Sequence, residues 1–265
     1  MENVPMETNI YRWAMDQVKQ KISAKLAAGF LQTKFREPLL GVADAKDPLF
    51  ARLKEVVDAG HLLPQDLLAD AQSVLVFFLP FESELMRENR FGKMATREWA
   101  VAYIEANALI NTLCQEMRDE LGKMGIKAAF QPATHNFDPV TLCSFWSHKH
   151  AAFIAGLGTF GRHHMLITPA GCGGRFGSLV LNAKLAVTLR PLVEYCLHRQ
   201  GKNCPICLDR CPTKALSDTG LDKQACYAHL LEVDQHYSDL ETCDVCGKCA
   251  TGPCAARIPG PNQPD

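Results

Sequence analysis

The side chains in this sequence suited to the most demanding chemistry are thiols. Twelve cysteines occur in 265 residues, and nine of them lie between Cys196 and Cys254. The opening segment MENVPMETNIYRWAMDQVKQ has neither the basic start nor the apolar core of a secretory signal, so a cytoplasmic location is expected. In a reducing cytosol clustered cysteines point to metal binding or catalysis rather than to a disulfide framework. The pairs Cys204/Cys207 and Cys243/Cys246 have the Cys-x2-Cys spacing of a zinc ribbon, but 35 residues separate them. Zinc ribbons use a spacer of about 15 to 20, and a ribbon would leave the surplus thiols unexplained.

An iron-sulfur reading accounts for more of the pattern. Cys204-x2-Cys207-x3-Cys211-Pro212 matches the last three cysteines and the terminal proline of the bacterial ferredoxin run Cys-x2-Cys-x2-Cys-x3-Cys-Pro. Gly201 occupies the first position, and Cys196 is available from a longer loop. A second run, Cys243-x2-Cys246-x2-Cys249-x4-Cys254, offers three closely spaced thiolates and a distal fourth. In two-cluster ferredoxins the fourth cysteine of each run crosses to the other cluster. That rule assigns Cys196, Cys204, Cys207 and Cys254 to one [4Fe-4S] cube and Cys243, Cys246, Cys249 and Cys211 to the other. Cys226 is left over; with nine candidates for eight positions, Cys196 or Cys226 is the bystander most in question.

Other signals are weaker. GLGTFG, residues 156–161, satisfies G-x-G-x-x-G, but the residues before it look helical and no Asp or Glu follows until Glu194. A dinucleotide site needs a preceding strand and an acidic residue about 20 positions on, so these glycines are read as a corner that lets backbone approach a large cofactor or another segment. His148, His150, His163 and His164 cluster around this corner without a carboxylate at ligand spacing, which favours hydrogen-bonded or cofactor-contacting roles over a metal site. Cys114, Cys143 and Cys172 read as small buried residues. Asp138 is either a general acid or a turn cap, and Tyr103 either a phenolic proton donor or a core tyrosine.

The elements that must position these groups show in the apolar pattern. Ile10, Trp13, Ala14, Val18 and Ile22 fall on one side of a helix over residues 8–28. SVLVFFLP, residues 73–80, reads as a buried strand. The stripe Leu109, Leu113, Met117, Leu121, Met124 marks a long helix from Thr96 that Gly125 stops. IKAAFQ, HHMLIT and FGSLVLNAKL read as strands, KHAAFIAGL as a short helix, and residues 131–147 as an ordered loop. The predicted organisation is an α/β unit over 1–189 and a smaller cysteine-rich unit over 190–265. An apolar fraction of 47%, a charged fraction of 22% and a net charge of −1 exclude disorder and a global field for nucleic acid or anionic lipid, and no run is long enough for a membrane span.

The segments SHKHAAFIAGLGTFGRHHMLITPAGCGGRFGSLVLNAKL, CPICLDRCPTKAL, QACYAHL and CDVCGKC together resemble the epoxyqueuosine reductase family and, more distantly, the corrinoid-dependent reductive dehalogenases. The resemblance, over roughly residues 70–258, implies an α/β (α+β) nitroreductase-like corrinoid-binding domain followed by a small ferredoxin-like domain with two [4Fe-4S] clusters. It implies an oxidoreductase, in the manner of anaerobic relatives, whose clusters reduce cobalamin. On that reading His148, His150, Gly156, Leu157, Gly158, Gly161, Arg175 and Ser178 contact the corrinoid, and Asp138 and Tyr103 compete as proton donor. Cys226 matches a ligand cysteine of longer members, which makes Cys196 or one of the final four the spare. The implied electron donor is reduced ferredoxin or flavodoxin, and the implied substrate a small molecule or a corrinoid protein. Transfer RNA is not expected as a partner, because residues 190–265 carry eight Lys and Arg against ten Asp and Glu. A second reading, from a different class, is a two-cluster electron-transfer or activating protein without an organic cofactor of its own.

Overall fold

A computed structural model describes residues 6–260. In chain order its elements are α1 (Met6–Ala27), β1 (Leu39–Asp44), α2 (Pro48–Val56), α3 (Pro64–Leu67), β2 (Ser73–Pro80), α4 (Ser83–Glu88), α5 (Arg97–Lys123), β3 (Ala128–Ala129), α6 (His148–Ile154), β4 (Thr159–Phe160), β5 (Leu166–Ile167), β6 (Gly174–Leu181), α7 (Ile206–Asp209), β7 (Leu216–Ser217), β8 (Gly220–Leu221) and α8 (Lys223–His236), with a final 3-10 turn at Lys248–Ala250. The main sheet is antiparallel, in the order β1-β2-β6-β3. The fold is therefore mixed α/β, as the sequence pattern indicates.

SVLVFFLP is apolar without alternation because β2 is covered on both faces. Leu75, Phe77 and Leu79 face α1 and α5, whose Ile10, Ala14, Val18, Leu109, Leu113, Met117 and Leu121 belong to the same buried cluster. Val74 and Val76 face the other layer, built from Phe50 and Leu53 of α2 and Ala151, Ala152 and Ile154 of α6. Helix α5 begins where Thr96 accepts the Trp99 N–H at 3.3 Å, and the chain turns away at Gly125 with φ +77°. Met124, the last member of the predicted stripe, is exposed because it lies past the helix end.

Three predicted strands are shorter or shifted. HHMLIT contributes Leu166–Ile167 alone, because His164 adopts φ +60° and the turn closes through Gly161 N–H to the Met165 carbonyl at 2.9 Å. IKAAFQ contributes only Ala128–Ala129, while FGSLVLNAKL begins earlier, at Gly174, and ends at Leu181. The cysteine-rich segment has few regular elements of its own and packs directly on the α/β layers. Among the described residues no helix is long and apolar enough to cross a membrane.

Truncating β2 at its doubly covered centre should be costly. Leu75→Ala is expected to lower the free energy of unfolding by about 2–5 kcal/mol, read from urea denaturation.

Candidate redox site

Nine thiols of the cysteine-rich segment sort into two groups and one outlier. Cys196, Cys204, Cys207 and Cys254 surround a small cavity with Arg162, His163 and Ile167. Cys211, Cys226, Cys246 and Cys249 line a larger cavity of about 210 Å³. Cys249 borders both cavities. The last cysteine of each run thus lies with the other run, the crossed arrangement that the spacing implies, with one exchange: Cys226, from α8, stands where Cys243 was expected. Cys243 is fully buried against Ala100 and Tyr103, and burial with Asp234, Asp244 and Asp239 pushes its thiol up to about 11. Spacing could not reveal this, because the Cys243 backbone is drawn toward α8 by its N–H bond to Asp234 Oδ1 at 2.6 Å.

A tetrahedral zinc with bonds of about 2.3 Å holds its sulfurs only ~3.8 Å apart. Among the described residues, no three sulfurs of either group come within 4.8 Å of one another; the set that does is His163, Cys172 and Cys254. Burial and neighbouring thiols raise Cys207 and Cys246 to about 11, and Cys249 further, so these thiols keep their protons until a metal displaces them. Arg162 Nε, buried and without a hydrogen-bond partner, borders the first cavity as a free donor. Lys149 brings positive charge near Cys249 and Cys226 at the second.

The larger cavity lies between the α/β layers and the cysteine segment, with apolar walls that include Phe81, Trp99 and Met165. Gly247, at φ +70°, lets the Trp99 ring approach the backbone beside Cys246, since a Cβ there would lie 2.3 Å from the ring. Lys149 lines this cavity and two neighbours of about 230 and 530 Å³. Its ammonium donates to the His164 carbonyl at 3.1 Å, and burial lowers its pKa. Sequence reasoning passed over Lys149; the available signal was a lysine at the start of an otherwise apolar helical stretch.

Tyr103 lines the same cavity. Its hydroxyl donates to Asp244 Oδ1 and shares a 2.9 Å hydrogen bond with Thr134 Oγ1. Burial pushes its pKa up to about 12, so the phenol holds its proton. Arg175 lies over the Tyr103 ring at 4.5 Å, fixed by two bonds to Asn107 Oδ1 at 3.1 and 2.9 Å. Asp244 also meets His135 Nε2 at 3.3 Å. Asp138 lies outside these cavities. Its exposed carboxylate accepts the Val140 and Thr141 N–H groups at 2.9 and 2.7 Å, which holds its pKa below the usual carboxylate range.

The remaining expected contacts are divided. His148 and Ser178 form a buried relay: Trp146 Nε1–H and His148 Nδ1 each meet Ser178 Oγ at 2.9 Å, and His148 Nε2 donates to the Pro132 carbonyl at 3.0 Å. Burial lowers His148 to about 4 and His150 to about 3; His150 lines the largest of the three cavities. At the glycine corner the space belongs to the chain itself. A Cβ at Gly156 would meet the Leu189 carbonyl at 2.7 Å, at Gly158 the Ile167 carbonyl at 1.9 Å, and at Gly161 the His163 ring at 2.5 Å. Leu157 is buried in the α2/α6 layer. Cys114 is fully buried in α5 and Cys143 nearly so, but Cys172 approaches Cys254 at 3.9 Å, a placement that its isolated position in the sequence did not signal.

Two outcomes follow. On anaerobic reconstitution with iron and sulfide, Cys226→Ala should take up less iron than the unsubstituted protein and Cys243→Ala as much, by iron and acid-labile sulfide assay. His148 supplies a pH effect: the unfolded chain binds a proton near pH 6.5 that the folded chain refuses until about 4, so stability falls as pH drops through that window. Between pH 7 and 5 His148→Gln should remove about 2 kcal/mol of that fall, read from urea midpoints.

No family model matches the chain, and no curated protein matches it in sequence. Solved structures do match in fold. An epoxyqueuosine reductase from Bacillus subtilis is 16% identical with a TM-score of 0.57, covering 96% of this chain and 68% of its own. The enzyme from Streptococcus thermophilus is 15% identical at 0.53, covering 94% and 69%. A catabolic reductive dehalogenase in complex with 3-bromo-4-hydroxybenzoic acid is 16% identical at 0.58, covering 83% of this chain and 30% of its own. The chain shares its fold with epoxyqueuosine reductases and reductive dehalogenases.

Proposed function

We propose that the protein is an oxidoreductase that holds two [4Fe-4S] clusters and binds a corrinoid in the cavity beside one of them. The observation that carries this reading is the position of Cys211, Cys226, Cys246 and Cys249 on the wall of an apolar cavity that also contains Tyr103, Lys149 and Arg175. The other quartet adjoins it through Cys249. The cavity and its two neighbours share Lys149 on their walls, which supports a ligand larger than any one of them holds. Arg175, Met165 and Lys149 would hold it. The clusters supply single electrons and the corrinoid a cobalt centre at which a substrate is reduced.

The residues of the chain supply the proton and the dry environment. Tyr103 keeps its proton through burial; at rest that proton is directed to Asp244 Oδ1, and rotation of the hydroxyl would turn it toward the cavity. Asp244 orients that hydroxyl, and His135, with 46% of its side chain exposed, connects Asp244 to solvent for reprotonation. Arg175 over the ring favours negative charge on the phenolic oxygen once the proton leaves. Asp138 does not share this position, so Tyr103 is the stronger candidate. The natural substrate is a small molecule or a corrinoid protein, with reduced ferredoxin or flavodoxin as donor.

The test is retention of cobalamin. Iron-loaded protein incubated anaerobically with hydroxocobalamin should keep a base-off corrinoid spectrum through gel filtration. Met165→Trp, which fills a wall shared by two cavities, should reduce retention at least about tenfold with iron content unchanged. Loaded protein that retains no corrinoid would favour the electron-transfer reading.

A further inference from the structure

His163 stands on β4–β5 turn backbone and borders both the larger cavity and the small one that the first thiol quartet surrounds. Its Nδ1 accepts the Met165 N–H at 3.1 Å. A ring nitrogen that accepts a backbone N–H carries no proton, so in the neutral ring the proton sits on Nε2. Nε2 lies 3.2 Å from Cys254 Sγ, nearer than Cys172 Sγ at 3.6 Å. That N–H therefore points at the sulfur as a donor, and Nε2 has no lone pair left for a metal. The close set of His163, Cys172 and Cys254 is thus a hydrogen-bonded thiolate rather than a separate mononuclear site. His163 is 4% exposed and Cys172 2%, so water does not compete for the sulfur from this side.

The seat of the ring is built into the chain. Gly161 leaves the room it occupies, since a Cβ there would lie 2.5 Å from its Cε1. Cys254 is held in turn by backbone pairing, its carbonyl accepting the Cys172 N–H at 2.9 Å. A donor fixed on a cluster thiolate favours the form that carries one more electron, because the added negative charge is partly shared with the sulfurs. No atom is transferred: one electron enters, and the proton stays on Nε2.

We infer that His163 is a positioning residue that raises the reduction potential of the cluster held by Cys254, through an Nε2–H hydrogen bond to that sulfur. This rests on the cluster reading above and concerns only one of the two centres.

The experiment is an anaerobic redox titration of the iron-loaded full chain with dithionite, followed by electron paramagnetic resonance. His163→Leu should shift one of the two reduction equilibria about tenfold toward the oxidised form, ~59 mV for one electron, and leave the other in place. His163→Gln, which restores an N–H donor, should return most of that shift. Gly161→Ala, which displaces the ring while keeping histidine, should shift the same cluster in the same direction and decides the matter if His163→Leu fails to hold its iron. Loaded variants with unmoved potentials overturn the inference, as does an equal shift in the Leu and Gln variants. Wild-type protein that assembles no cluster would instead sink the reading on which it rests.

Discussion

Two backbone hydrogen bonds stitch the end of the chain to the start of β6: Cys172 N–H to the Cys254 carbonyl at 2.9 Å, and Gly173 N–H to the Ala255 carbonyl at 2.8 Å. The seam continues as Phe81 N–H meets the Gly173 carbonyl at 2.9 Å. Arg36 locks it from the side, its guanidinium donating to the carbonyls of Phe81, Ala256 and Ala170. Everything functional depends on this join. It fixes Cys254 with the first quartet, and it sets the floor under the cavity that the second quartet faces. A side chain at Gly171, where φ is +82°, would collide with the Ala255 carbonyl at 2.2 Å, so the join needs glycine there, while one at Gly173 would have to displace the Met86 side chain.

A second set of contacts ties the cysteine segment to the loop before α5. Lys248 is buried with its ammonium on the Asn89 and Phe91 carbonyls at 2.7 and 2.6 Å, and Asn89 Nδ2 returns a bond to the Cys246 carbonyl at 2.9 Å. His229 reaches the Lys93 carbonyl at 3.1 Å, and Tyr237 the Ala95 carbonyl at 2.8 Å. A segment of this length with little regular structure has too small a core to order itself. Here much of that order comes from hydrogen bonds to its neighbour, and metal ligation would supply the rest.

Some of this was legible in the residues and some was not. The uninterrupted apolar run of β2 and the four-residue stripe of α5 carry their burial in plain periodicity. The grouping of the thiols is likewise legible in the two cysteine runs, because spacing is a local property. The exchange of Cys226 for Cys243 is not legible in spacing, although the resemblance to longer family members marks Cys226 as a ligand: it depends on how α8 lies against α5 and on which way Asp234 draws the neighbouring backbone. The glycine corner reads in the sequence as an approach of backbone to either a large cofactor or another segment, and the fold brings the Leu189 and Ile167 carbonyls and the His163 ring against it. Lys149 and Cys172 escaped because each is a single residue whose meaning lies in distant partners. Asp138 drew interest from its loop setting, yet the backbone N–H groups two and three residues on already occupy its carboxylate.

On the proposed cluster reading, the crossing of Cys211 and Cys254 between the runs bears on how the protein would mature. Each quartet is completed only by chain from the other run, so neither can close while the other run is still loose. Filling one site would fix residues that the other needs, and would lower the conformational entropy lost when the second fills. Loading would then be cooperative along the chain, with half-filled molecules scarce and metal insertion acting as the last step of folding.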